Sequence, residues 1–218
     1  MRAARTAVIV MAALSGAGCM SLGGSNPPRT YYVLDDAGNG RGTDVAGPTT
    51  TIPRTLLVTA ARANPLADAR ALVYARAPGQ RAQYQFASWA ERPSQRIVEL
   101  LEERLNRRET FAATALLGSG VTGDLLLAIE LEQLFHDVTV KPGIGRVTLE
   151  AELIDRRTGT SLGRRRFATS SHVASDNAEG AVHALSTSLG TILDALVPWI
   201  ETIARGGLNG ARAAHDGE

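Results

Sequence analysis

The chain has 218 residues, of which 44% are hydrophobic, and its formal net charge is +1 at pH 7. A charge so close to zero gives no case for nucleic-acid binding or for a polybasic membrane patch. The length and the hydrophobic fraction are those of one globular domain with an ordinary buried core.

The N-terminal residues predict where the protein works. Arg2 and Arg5 form a positive start, and residues 7–14 form an uncharged, mostly apolar run. A run of about eight residues is too short to span a bilayer, which needs roughly 20. Small residues follow, and then Cys19, the single cysteine of the chain. This order is typical of a bacterial lipoprotein signal peptide, which is cut just before a diacylated cysteine.

The sequence therefore predicts a signal peptide over residues 1–18, lipidation of Cys19, and a flexible Gly-, Ser- and Pro-rich tether over residues 19–29. Gly16 departs from the usual pattern, because these signals prefer Leu three positions before the cysteine. The alternative is an ordinary secretory signal, which would leave a lone thiol without a disulfide partner. Two or three acyl chains hold a protein stably on a membrane. In Gram-negative bacteria, an Asp directly after the lipidated cysteine usually signals retention at the inner membrane. Because Met20 and Ser21 follow Cys19 here, an outer-membrane location is favoured.

Alternation of apolar and polar residues predicts a β-rich body from Thr30 onwards. Short strands are predicted at residues 30–34, 55–60, 70–75, 81–89 and 111–117, with a turn at 77–80 that makes a hairpin. Three longer strands, at residues 124–135, 146–154 and 162–169, alternate cleanly and predict an antiparallel meander. On the last of these, Arg164 and Arg166 are expected to face Glu150 and Glu152.

Two amphipathic helices complete the predicted fold. The first opens at Pro93 with Ser94 or Arg92 as its cap. The second runs from Asp176 to about Arg205, with a kink at Pro198, and a disordered tail follows over residues 206–218. The predicted class is α+β, a mostly antiparallel sheet of about six to eight strands with two main helices packed on it. This single domain covers residues 30–205.

The sequence carries no arrangement of residues typical of an enzyme. Its histidines, His136, His172, His183 and His215, share no metal-ligand spacing. No GxSxG, HExxH or Walker sequence occurs. Ser171 and His172 are neighbours in a strand and would point to opposite faces. We therefore predict a binding or assembly protein with no catalytic residue, no metal site and no cofactor.

Several segments together resemble a known family. After the lipoprotein signal come TYYVL at residues 30–34, YQFASWAERP at 84–93, FAATALL at 111–117 and DRRTGT at 155–160. This order is similar to that of the PqiC-type auxiliary lipoproteins of ABC transport systems. Those proteins accompany MCE-domain proteins in moving lipids between the two membranes of Gram-negative bacteria. The resemblance covers about Thr30 to Ile200.

The resemblance implies a subunit anchored in the outer membrane and facing the periplasm, with a mostly antiparallel sheet and packed helices. The implied partners are an MCE-domain protein and the ABC permease and ATPase complex. Some members assemble as rings, so a homo-oligomeric ring is expected, whereas nucleic acid is not an expected partner. Two rival functions stay open, a chaperone-like lipoprotein for assembling another outer-membrane machine and a carrier that holds a lipid in an apolar cavity.

Trp89 and Arg92 are candidate partner-binding residues, because they lie where a strand gives way to a helix. An aromatic residue flanked by charges at such a place suits an interface. The other interpretation is that Trp89 closes the core over the start of the helix.

Overall fold

The computed structural model describes residues 28–37 and 50–215, with side chains up to residue 206. The strands in these ranges are β1 (Thr30–Tyr32), β2 (Ile52–Ala63), β3 (Ala71–Ala75), β4 (Ala82–Trp89), β5 (Phe111–Leu116), β6 (Leu125–Asp137), β7 (Ile144–Asp155) and β8 (Thr160–His172). The helices are α1 (Pro93–Arg107) and α2 (Ala178–His215). The predicted signal peptide, Cys19 and most of the tether lie outside the described residues.

The strands form one mixed sheet in the order β1-β4-β3-β6-β2-β5, and β7 pairs with both β6 and β8. The prediction of a mostly antiparallel sheet is wrong, because the pairs β1–β4, β2–β5, β2–β6 and β3–β6 are parallel. Strands joined by a tight hairpin run antiparallel, whereas a longer loop or a helix lets the chain re-enter the sheet in the same direction. The α+β class, the strand number and the predicted meander are confirmed, since β6–β7 and β7–β8 are antiparallel.

β6 is the central strand and changes partner along one side. β7 pairs with it over its whole length, while on its other side β2 pairs up to Leu131 and β3 pairs from His136. The register shifts between Leu131 and Gln133, so Glu132 is the extra residue of a β-bulge. Because one added residue reverses the alternation, Leu134 and His136 point to the same side of the sheet as Leu131 does.

Both helices pack on one face of the sheet, α1 against β2 and β5 and α2 against β7 and β8. The predicted apolar faces are buried in one core, and Leu101, Leu189 and Leu193 have no exposed surface. Each such side chain contributes about 1.5–3 kcal/mol by leaving water. The described helices leave the opposite face of β6, β7 and β8 uncovered, and we call it the open face.

The start of α1 is capped from outside the helix. Of the two predicted cap residues, Arg92 does occupy the N-cap position but makes no side-chain cap hydrogen bond, and Ser94 already lies within the helix. Instead Oδ1 of Asp68, from the loop between β2 and β3, accepts a hydrogen bond from the Ser94 backbone N–H at 2.9 Å. A carboxylate at this end also interacts favourably with the helix dipole.

α2 begins with a side-chain cap, since Asn177 Oδ1 accepts a hydrogen bond from the Gly180 N–H at 2.8 Å. It continues to His215, so the segment that was predicted as a tail from residue 206 begins as helix. Residues Ala178–Gly206 are long and apolar enough to cross a membrane, but 72% of their most apolar window is buried inside the protein. This is the burial of a core helix.

The segment after β1 is held by an ion-pair clamp, which we define as Asp36, Arg104 and Asp194. Arg104 of α1 donates to both carboxylate oxygens of Asp36, at 2.8 and 2.7 Å. It also donates to Asp194 of α2 at 2.6 Å. The side chains of Arg104 and Asp36 are only 7% and 3% exposed, whereas that of Asp194 is 63% exposed. The clamp therefore joins the N-terminal segment to both helices.

Candidate functional site

The open face carries a row of charges that pair with one another. Arg164 binds Glu150 at 3.1 Å and Glu152 at 2.7 Å, as the sequence predicted. Arg166 lies opposite Glu150 in the register, as predicted, but its ion pair is with Glu132, the bulge residue of β6, at 2.7 Å. Hydrogen bonds from Ser161 and Arg164 lower the pKa of Glu152. Exposed pairs of this kind contribute about 0–1 kcal/mol each, so they tune the surface more than they hold the fold.

A cavity of about 200 Å³ opens where β6 changes partner from β2 to β3. Its lining includes Leu66, Arg81, Glu132 and Phe135. The Arg81 guanidinium lies 3.8 Å from the centre of the Phe135 ring, a cation–π contact that covers part of the apolar floor. The cavity lies beside the bulge of β6, and its lining also includes Ala67 and Leu134 of the main core.

The structure separates the two predicted partner-binding residues. Trp89 is 2% exposed and packs in the main core, which is what the packing interpretation predicts. An interface through its indole would require the side chain to leave that core. Arg92 stays at the surface with 63% of its side chain exposed, and its guanidinium lies 3.3 Å from Asp68. A partner contact by Arg92 remains a prediction.

A buried polar cluster was missed in the sequence. The Tyr84 hydroxyl and His136 Nδ1 are hydrogen-bonded at 2.8 Å, and the His136 side chain has no exposed surface. His136 Nε2 has no hydrogen-bond partner among the described residues, and Asp176 Oδ1 lies 3.9 Å from it. A Cβ on Gly143 would collide with that nitrogen, so this position needs a glycine.

Burial sets the titration of this cluster. It raises the pKa of Tyr84 to about 12 and lowers the pKa of His136 below its usual 6.5. A hydrogen bond from Lys141, at 2.6 Å, and another from the Gly143 N–H lower the pKa of Asp176. At neutral pH the cluster therefore holds a neutral phenol, a neutral imidazole and an ionised carboxylate.

The other predicted features show no catalytic geometry among the described side chains. His172 and His183 are both exposed, and Ser171 bonds to Ser188 of α2 at 3.0 Å. No group of three or more His, Cys, Asp or Glu residues in the described ranges could hold a metal ion. The side chain of His215 lies outside the described ones.

The fold is shared with solved structures of low sequence identity. Protein XCC0632 from Xanthomonas campestris, assigned to the family DUF330, is 18% identical with a TM-score of 0.67, and the match covers 84% of this chain and 98% of that one. A crystal structure of an uncharacterized protein is 15% identical with a TM-score of 0.61, covering 80% and 99%. This chain therefore shares the α+β fold of these two proteins. No curated protein matches its sequence.

The sequence itself identifies the family. Residues 32–197 match the family model of the ABC-type transport auxiliary lipoprotein component. The chain belongs to this family of PqiC-like lipoproteins, and the resemblance stated from the sequence is confirmed. It is accordingly a membrane-anchored lipoprotein of the cell envelope that is associated with an ABC transport system.

Proposed function

We propose that the protein is a non-enzymatic, periplasmic subunit of an MCE-type ABC transport system that moves lipids between the inner and outer membranes. Its role is to dock the MCE conduit at the outer membrane, where the lipidated Cys19 holds it. The observation that carries this proposal is the family match over residues 32–197, which includes nearly all of the folded body. The outer membrane is favoured because Met20 and Ser21, and no Asp, follow the cysteine.

The described residues support a role in binding over one in catalysis. Among the described side chains, the cluster around His136 joins a histidine with a carboxylate and a hydroxyl, and its imidazole has no exposed surface. A substrate cannot reach a general base that has no exposed surface. The charges of the open face are engaged with each other, as in Arg164 with Glu150 and Glu152.

The filled core favours docking over the rival role of a lipid carrier. A carrier needs a sizeable apolar cavity between the sheet and the helices. In that layer Leu127, Leu149 and Leu189 are all 0% exposed and belong to one contiguous core. An acyl chain could enter there only by displacing these side chains.

Affinity purification tests the proposal. The tagged full-length lipoprotein is extracted from membranes in mild detergent, and the co-purifying proteins are identified by mass spectrometry. We expect an MCE-domain protein together with its permease and ATPase. A tagged, unrelated outer-membrane lipoprotein from the same cells serves as the control.

The alternatives give different results. Recovery of components of another outer-membrane assembly machine, without an MCE protein, would support the chaperone-like role instead. Recovery of no MCE protein at all would contradict the docking role. Native mass spectrometry of the purified lipoprotein measures whether several copies form a ring, as the family resemblance implies.

A further inference from the structure

We infer that the edge of the sheet at β1 lies against the headgroups of the membrane that holds the lipid anchor. We call the surface concerned the β1 patch and define it as Arg29, Tyr31, Val33, Arg70 and Arg92. The inference rests on the lipid anchor of the proposed function, but it does not depend on which protein docks there. It commits to one occupant of the patch, a phospholipid surface.

The apolar centre of the patch, Tyr31 and Val33, is exposed to solvent and adds little to the hydrophobic core. Tyr31 is 64% exposed and Val33 is 55% exposed, so most of the surface of both residues is in contact with solvent. Tyr32 and Leu34 alternate with them and pack into the core. Side chains alternate across a strand, so Tyr31 and Val33 project together on the side away from the helices. A tyrosine at such a place is suited to the boundary between water and lipid.

Arginines flank this apolar pair. β1 is parallel to β4, with Tyr32 beside Trp89, so Val33 and Arg92 leave the two strands at the same end. Arg70 lies there as well, since its Nη1 donates to the Ala90 carbonyl at 3.1 Å. Arg29 precedes β1 and is exposed. The acidic residues near this end of β1 include Glu91, Asp68 and the exposed Asp35, so the corner has no excess of positive charge. The arginines contribute only individual contacts to headgroup phosphates, and the apolar pair supplies the main attraction to the lipid surface.

The length of the tether keeps the patch close to the bilayer. Residues 20–29 separate Cys19 from β1. Ten residues span at most about 35 Å when fully extended. β1 is the first element of the described chain, and its exposed side chains are held within reach of the headgroups at a high local concentration.

The contact would set the orientation of the whole body. β7 and β8 lie on the other side of β6 from the β4–β1 edge. With the β1 patch against the lipid, this part of the sheet and the turn at residues 156–159 face away from the membrane. Arg92 then meets lipid, and the docking surface for the conduit lies elsewhere.

Site-specific fluorescence tests the contact. Acylation consumes the thiol of Cys19, so a Tyr31→Cys variant of the mature lipoprotein has a single free thiol, which is labelled with nitrobenzoxadiazole. The matched control is Arg157→Cys, an exposed position in the β7–β8 turn. Both acylated proteins are inserted into phosphatidylethanolamine–phosphatidylglycerol vesicles, with and without doxyl-labelled lipid.

We expect the probe at position 31 to be blue-shifted and quenched by the doxyl lipid, and the probe at position 157 to behave as in water. Equal, water-like emission at both positions would overturn the inference. So would a blue shift at position 31 without doxyl quenching, because that result indicates contact with protein. A chain that proves not to be acylated also overturns it. Failure to recover an MCE protein would leave this measurement unaffected, so the two proposals can fail separately.

Discussion

Replacement of Arg104 by methionine should destabilise the protein strongly, because it leaves the Asp36 carboxylate buried without its partner. The Asp36 side chain is 3% exposed and receives two charge-assisted hydrogen bonds from this one guanidinium. Breaking one half of a buried ion pair costs about 3–5 kcal/mol. That is a large part of the 5–15 kcal/mol by which native proteins are stable.

Urea unfolding followed by circular dichroism measures this effect on the acyl-free Cys19→Ser chain, which serves as the background for all variants. With a slope of about 2–3 kcal/mol per molar, the midpoint for Arg104→Met should fall by about 1–2.5 M. The matched control is Asp194→Ala, which removes the exposed partner of the same guanidinium. A partner that is 63% exposed should contribute about 0–1 kcal/mol after solvent screening.

A double variant separates the pair from its setting. When Asp36→Leu is combined with Arg104→Met, no buried charge is left, and such replacements are often nearly neutral. The double variant should therefore be more stable than Arg104→Met alone. If Arg104→Met shifted the midpoint no more than Asp194→Ala does, the clamp would not be a buried ion pair in solution and the reasoning would be refuted.

Three further predictions follow from packing, titration and the anchor. Gly145→Ala should lower the midpoint of urea unfolding, because the added Cβ would lie 2.8 Å from the backbone of Ala184 and Leu185 in α2. Overpacking of this kind costs about 1–3 kcal/mol. The free energy of unfolding should also fall as the pH drops below about 6.5, because burial lowers the pKa of His136 in the folded state. In that pH range the imidazole binds a proton in the unfolded chain but not in the folded one. His136→Gln should flatten this pH profile. Cys19→Ser should release the protein from the membrane fraction of cells, as blotting of fractions would show.

Each of these predictions has its own contrary result. Gly163→Ala is the control for Gly145→Ala, because its added Cβ would meet Ile203 and Trp199 only at an ordinary 3.5 Å. Equal effects of the two substitutions would contradict the close approach of β7 to α2. A wild-type stability that stays constant between pH 7.5 and pH 5 would contradict the neutral, buried state of His136. A Cys19→Ser chain that remains with membranes would show that the acyl chains are not the anchor.

The elements that were predicted well are those whose evidence is local. Strict alternation from Leu125 to Leu131 and from Val147 to Leu153 marks two faces of a strand, and the structure buries the expected one. The apolar stripe of α1, from Ile97 to Leu105, follows the helical period in the same way. Such periodicity is a property of neighbouring residues, so it survives without knowledge of the fold.

The features that were missed depend on partners far along the chain. The cap of α1 comes from Asp68, 26 residues before Ser94. The parallel pairing of β2 with β6 depends on the path of the chain between them, and the residue pattern of neither strand predicts that path. His136 was missed because alternation placed it beyond the strand end, and the bulge at Glu132 is what turns it inward. A change of period after Leu131, where Leu134 rather than Gln133 is apolar, was the one signal in the sequence.

The clamp of Asp36 with Arg104 and Asp194 has a mechanical consequence. A force that pulled on the N-terminal end of the described chain would load it first at Arg29, directly before β1. Three residues of β1 bear that force first, and a short edge strand alone would peel away from β4. After β1 the force would reach Asp36, whose carboxylate is bound by Arg104 of α1. Arg104 also binds Asp194, which connects α1 to α2. Tension applied at the N-terminal end is therefore distributed over both helices, and the pairing of β1 with β4 does not have to resist it alone.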